Sequence, residues 1–184
     1  DPLGDPKKKV VKDVFSDSYN YMRSGTLIQA VIEKLEDSID FNNFKTRQNL
    51  GDLYEQILND LRSAGNSGEF YTPRAITQFM VEMINPQLKE TILDPACGTG
   101  GFLTASIDHL AKQAKNNKDK QTIENSIIGF EKKQLPHLLC TTNMLLHGID
   151  VPSGIEHRNT LSQAWDEWPE EDSQRYDCVI SNPP

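Results

Sequence analysis

The chain has 184 residues, 27 acidic against 19 basic, and a formal net charge of -8. That length allows one sizeable core plus a small appended piece, and the acidic balance argues against tight binding of nucleic acid by this chain alone. No apolar run is long enough to cross a bilayer and no secretory leader is recognisable. The three cysteines, Cys97, Cys140 and Cys178, are widely spaced without a Cys-x-x-Cys, so the expectation is a reducing, cytoplasmic setting and no metal site.

Taken from the N-terminus, Lys7-Lys8-Lys9 reads as a solvated tail. From about Tyr19 to Leu61 the spacing predicts helices. Leu27, Val31 and Leu35 mark one apolar stripe, and Leu50, Leu53, Tyr54, Ile57, Leu58 and Leu61 mark a second; both are expected in the core. Ser63 to Gly68 is rich in turn-formers and reads as a link. It separates an N-terminal helical domain, residues 1–66, from a second domain, residues 67–184. Thr72 and Pro73 suit an N-cap and a first helical turn. The helix they open is expected to bury Ile76, Phe79, Met80, Met83 and Ile84 and to end at Asn85-Pro86, so Phe70 to Pro73 form its entrance.

Thr91-Ile92-Leu93 is a short apolar run that reads as a buried strand. It enters Asp94-Pro95-Ala96-Cys97-Gly98-Thr99-Gly100-Gly101, and a helical stretch from Phe102 follows. Strand, glycine loop and helix in this order form a nucleotide-type cofactor site, where Gly98 and Gly100 permit positive φ and close approach of a ligand. No Gly-Lys-Ser/Thr follows, which excludes a Walker-type phosphate cradle, and the third glycine of the dinucleotide spacing is absent. The loop instead opens on an acid. Asp94 would repel a pyrophosphate but could hold the ammonium of an amino-acid moiety, which favours S-adenosylmethionine over NAD. Cys97 has no evident base beside it and is read as a small loop residue, not a nucleophile.

Lys112 to Lys120 reads as a polar surface insertion. Ser126 to Phe130 forms a second strand with Glu131 at its carboxyl end, where an acid can accept both ribose hydroxyls of a nucleoside. An amphipathic helix through Leu138, Leu139, Asn143, Leu145 and Leu146 follows. His109, His147 and His157 read as surface or strand-edge residues. The acidic run Asp166 to Asp172 reads as a surface loop. Asp177 to Ser181 is a strand that delivers Asn182-Pro183-Pro184. That tripeptide suits methylation of an amino group conjugated to a ring or carbonyl. The Asn side-chain oxygen and the first Pro carbonyl can accept its two N–H bonds, pull the nitrogen toward tetrahedral shape and aim its lone pair at a methyl donor. Strand–helix alternation makes the second domain α/β, with a largely parallel sheet and its sites at the carboxyl strand ends.

Gly68-Glu69-Phe70-Tyr71-Thr72-Pro73-Arg74, the octet from Asp94 to Gly101 with Phe102-Leu103, and Asn182-Pro183-Pro184 resemble, in this order, the modification subunits of type I restriction–modification systems. The resemblance runs from about Leu50 to the last residue. It implies a Rossmann-like methyltransferase fold, S-adenosylmethionine as methyl donor, adenine N6 in DNA as acceptor, and assembly with a specificity subunit, a restriction subunit and a second modification subunit. Position by position, it implies that Phe70, Tyr71, Thr72 and Pro73 contact the methionine part of the cofactor. Asp94, Gly98, Thr99 and Gly100 form the cofactor loop, Glu131 holds the ribose, and Asn159 lies near the cofactor adenine. Asn182, Pro183 and Pro184 are the catalytic group, normally completed by an aromatic that stacks on a flipped base. A complete sheet of this kind needs strands after Pro184, so the chain is expected to be part of a longer protein and inactive alone. Other Asn-Pro-Pro enzymes act on RNA, on cytosine N4 or on protein glutamine, and these alternatives stay open, as does an inactive assembly fragment.

Overall fold

The computed structural model describes residues 4–16, 19–40, 43, 46, 49–54, 56–58, 72–162 and 175–184. The domain boundary expected near residue 66 and the acidic run from Asp166 lie outside these residues.

Helix α1 spans Pro6–Phe15, with Pro6 in its first turn and the Asp5 side chain capping Lys7 N–H. Lys7 to Lys9 are therefore helical and not a tail, although all three are exposed as expected, and Lys7 pairs with Asp150 at 3.1 Å. Helix α2 spans Gly25–Ser38, capped by Ser24. It buries none of its residues, so the stripe of Leu27, Val31 and Leu35 is exposed among the described residues, contrary to expectation. The period fixes such a stripe but does not say what covers it. Of the second expected stripe Leu58 is buried, whereas Leu53 and Ile57 are exposed. That helical stretch is tied down by polar contacts as well: Tyr54 hydroxyl donates to Leu139 O at 3.3 Å, and Asp52 pairs with Arg74 at 2.7 Å.

Helix α3 spans Arg74–Ile84 and ends on Asn85 in the left-handed region at φ 51°, where the sequence places its stop. Its inward face differs from the one expected. Thr77 and Val81 are buried and Met80 is half-buried, whereas Ile76, Phe79, Met83 and Ile84 are exposed. Thr77 can sit inside because its hydroxyl donates to Arg74 O at 2.9 Å, which cancels the cost of burying a polar group.

Strand β1 (Ile92–Asp94) leads through the glycine loop into α4 (Gly101–Ala111). Helix α5 (Asn117–Ser126) precedes β2 (Ile127–Glu131), helix α6 (Gln134–Leu146) follows it, and β3 (Ile155–His157) and β4 (Cys178–Val179) complete the described sheet. The expected surface insertion thus runs into α5, whose Asn116 cap binds Asp119 N–H at 3.0 Å and whose Ile123 reaches the core. All strand pairs are parallel and the order is β3-β2-β1-β4. Every residue of β1 is buried, as expected for a parallel strand covered on both faces. Helix α4 packs between α3 and the sheet, which is why Phe102, Leu103, Ala105, Ile107 and Leu110 are all buried. His147 is not a surface residue: its side chain is 2% exposed and its Nδ1 lies 3.4 Å from Asp108. No helix among the described residues is long and apolar enough to cross a membrane.

Candidate cofactor and methyl-acceptor site

The strand order reverses between β1 and β4. Both β2 and β4 pair with β1, on opposite edges, so the loops leaving β1 and β4 diverge and open a crevice at their carboxyl ends. Asp94 closes β1. Past β4, Ile180 N–H still donates to Leu93 O at 3.0 Å, and Ser181 and Asn182 follow directly. The glycine-loop and Asn-Pro-Pro motifs therefore meet at one switch point, across 87 residues of chain. Ser181 hydroxyl donates to Asp94 Oδ1 at 2.7 Å.

Asp94 is 1% exposed. Its Oδ1 also accepts Ala96 N–H at 3.1 Å, so both described bonds use the same oxygen. Burial pushes its pKa up to about 6, opposed by the Ser181 and Ala96 bonds and helped slightly by the charge of Glu131. A carboxyl desolvated to this degree gains from a ligand cation.

The glycine loop is held from three sides. Cys97 N–H donates to Phe130 O at 3.0 Å, and Gly98 N–H to Glu131 Oε2 at 3.0 Å. The second oxygen of Glu131 accepts Lys133 N–H at 2.7 Å. A carboxylate has about four lone-pair sites, so Glu131 keeps acceptor capacity for hydroxyls. From below, Asn143 Nδ2, on α6, donates to Thr99 O at 3.1 Å. Gly98 has φ +56° and open space where a Cβ would project, a cradle shaped for close approach of a ligand. Gly100 has φ +88° for a different reason: a Cβ there would lie 2.8 Å from Cys140 Sγ and 2.9 Å from Met144 Cε. Cys97 and Cys140 Sγ are 3.8 Å apart and both are buried. The Cys140 bond and then burial push the Cys97 thiol well up, which agrees with a packing role for it.

Asn159 follows β3, which exits beside Glu131: Arg158 N–H donates to Glu131 O at 3.0 Å, and its guanidinium lies 4.2 Å over the Phe130 ring. Asn159 Oδ1 accepts Leu161 N–H at 3.2 Å, and Thr160 hydroxyl bonds Pro95 O, so this segment is fastened to the glycine loop. Asn182 is exposed, and its Nδ2 donates to Thr72 Oγ1 at 3.1 Å. Pro73, Pro183 and Pro184 are exposed as well. Phe70 and Tyr71 lie outside the described residues. His137 stacks on His157 at 5.3 Å, but no group of three metal-binding side chains occurs among the described residues.

The sequence places Ser181, Asn143 and Gly129 in a strand, a helix and a strand, but not at the site. A Cβ on Gly129 would lie 2.7 Å from Leu103 and 3.1 Å from Cys97 Sγ, so β2 needs glycine there for the loop to pack. The contacts of Ser181 and Asn143 span 87 and 44 residues, which no local signal reveals.

Parallel sheet, reversal between β1 and β4, and an acid-led glycine loop facing Asn-Pro-Pro together define the Rossmann-like methyltransferase fold. Residues 45–184 match the family described as N-6 DNA Methylase, and the chain belongs to that family. Its members require a methyl donor. The chain is 56% identical over 180 residues to the type I restriction enzyme EcoEI methylase subunit of Escherichia coli, covering 97% of this chain and 36% of the relative. The EcoKI methylase subunit of Escherichia coli (strain K12) is 30% identical, covering 99% and 36%. Among solved structures, a modification subunit from Vibrio vulnificus YJ016 superposes with a TM-score of 0.82 at 43% identity, covering 97% of this chain and 36% of that one. The chain thus spans roughly a third of the length of these relatives.

Proposed function

We propose that this chain carries the cofactor loop and the acceptor-orienting group of a type I modification subunit. The complete cytoplasmic enzyme transfers a methyl group from S-adenosylmethionine to adenine N6 in DNA. The observation that carries this reading is the junction at the switch point, where Ser181, next to Asn182, bonds Asp94 at 2.7 Å. It joins an acid-led cofactor loop to a group suited to orient a conjugated amine.

The residues fit the cofactor. Asp94, buried with its charge undercompensated, suits the amino-acid ammonium. Glu131 has acceptor capacity for the ribose hydroxyls, and Gly98 leaves room for close approach. Asn159 can offer its remaining amide capacity to the cofactor adenine, while Phe70, Tyr71 and Pro73 flank the methionine part by family resemblance. Bound S-adenosylmethionine supplies an electrophilic methyl group on a positively charged sulfur.

The acceptor side depends on this chain's own atoms. Asn182 Oδ1 and Pro183 C=O accept the two hydrogens of the adenine amino group. This withdraws the nitrogen lone pair from the ring and directs it toward the methyl donor. The base must leave the duplex stack to reach them. With a net charge of -8 these residues are suited to few phosphate contacts, which would fall to the rest of the assembly, with its specificity subunit, restriction subunit and second modification subunit. The test is product analysis with the complete enzyme on DNA, RNA and protein. N6-methyladenine in DNA is expected, and it should vanish in Asn182→Ala while cofactor binding persists. Methylated cytosine, RNA or glutamine, or normal turnover by Asn182→Ala, would refute the reading.

A further inference from the structure

An amide can orient an amine only if its oxygen faces it, yet an Asn side chain has an acceptor end and a donor end of similar shape. Asn182 is exposed and lies beyond the strand ladder, which ends at Val179, so its own segment gives the amide little reason to choose. The amide is held from the other side of the site. Asn182 Nδ2 donates to Thr72 Oγ1 at 3.1 Å, across 110 residues of chain, and in this arrangement Oδ1 lies on the side of the amide away from Thr72.

Thr72 is well placed to hold that setting. It precedes Pro73, whose φ of -55° is fixed by its ring, and α3 begins at the next residue. Helix α3 is anchored on α4 through Val81, and α4 starts from the glycine loop. The N-cap of α3 is Pro73 and not Thr72 as the sequence suggests, so the Thr72 hydroxyl has no capping role there. At the near side of Asn182, the Ser181–Asp94 bond fixes the preceding residue.

From this geometry we infer that Thr72 is a positioning residue for methyl transfer, setting the amide of Asn182 so that Oδ1 is presented to the acceptor amine. The inference rests on the role proposed above for Asn182. It differs from the family-derived expectation that Thr72 serves the methionine part of the cofactor, and the two make different predictions. A cofactor contact governs affinity, whereas an amide-setting contact governs the rate of transfer from the bound state.

The experiment is single-turnover methylation of DNA by the complete enzyme at saturating S-adenosylmethionine, with cofactor affinity measured separately. Thr72→Val keeps shape and removes the hydroxyl. It should slow transfer by about tenfold to a hundredfold while changing cofactor affinity less than about threefold, and Thr72→Ser should recover most of the rate. Three results would overturn the inference: a normal rate in Thr72→Val, a defect confined to cofactor affinity, or no recovery in Thr72→Ser. If Asn182→Ala is inactive while Thr72→Val is normal, only this inference falls; if Asn182→Ala turns over normally, the functional reading falls with it.

Discussion

Ser181 and Asp94 stand at the ends of neighbouring parallel strands, and the Ser181 hydroxyl donates to Asp94 Oδ1 at 2.7 Å. The bond couples the two halves of the site, and burial, which outweighs the lowering effect of this bond, pushes the carboxyl pKa up to about 6. Cofactor binding should therefore depend on pH. Above about 6 the carboxylate is ionised and can hold the ammonium; below it, binding must first release the proton. Affinity for S-adenosylmethionine is expected to be level near pH 7.5 and to fall by about tenfold per unit well below pH 6. Titration calorimetry in buffers of different ionisation enthalpy should record proton release near pH 6.

The same shift makes a stability prediction. The folded pKa lies above the ordinary value of 3.8, so its contribution is fully present below 3.8 and is lost as pH rises through about 6. Asp94→Asn keeps an Oδ1 for both Ser181 and Ala96 and removes the charge. At pH 7.5 it is expected to be more stable than the wild type by on the order of 2–3 kcal/mol, with the gap closing below pH 4. Denaturant melts at the two pH values check this.

Gly100→Ala should be destabilising for two reasons at once. The φ of +88° disfavours any Cβ, and this one would meet Cys140 Sγ at 2.8 Å and Met144 Cε at 2.9 Å. A loss of about 2–4 kcal/mol is expected. Gly98→Ala shares the backbone cost but meets open space, so its smaller stability loss should come with a larger loss of cofactor affinity.

Glu131→Gln replaces one of two acceptors by a donor where Gly98 and Lys133 both present N–H groups, at 3.0 and 2.7 Å. One of these bonds must break. Stability should fall by about 1–2 kcal/mol and cofactor affinity by about tenfold; equal affinity in wild type and variant would remove Glu131 from the site.

Much of the candidate site was legible because its residues are local in sequence. Asp94, Gly98 and Gly100 fall within one loop, and a short apolar run announces each of β1 and β2. What the sequence hid was the choice of inward face. In α3 the larger apolar residues face out, and Thr77 faces in because its hydroxyl bonds its own helix. His147 is buried beside Gly51, from a segment nearly a hundred residues earlier, a contact that periodicity cannot report. Thr72 reads as a helix cap from its neighbours alone, but its hydroxyl is engaged by Asn182.

The measurement that tests the account most directly is calorimetric titration of S-adenosylmethionine into the complete modification subunit, wild type against Asp94→Ala. Saturable one-to-one binding that is lost in the folded variant is the predicted result. Binding of equal strength in both proteins would place the cofactor away from the β1–β4 switch point and contradict the account.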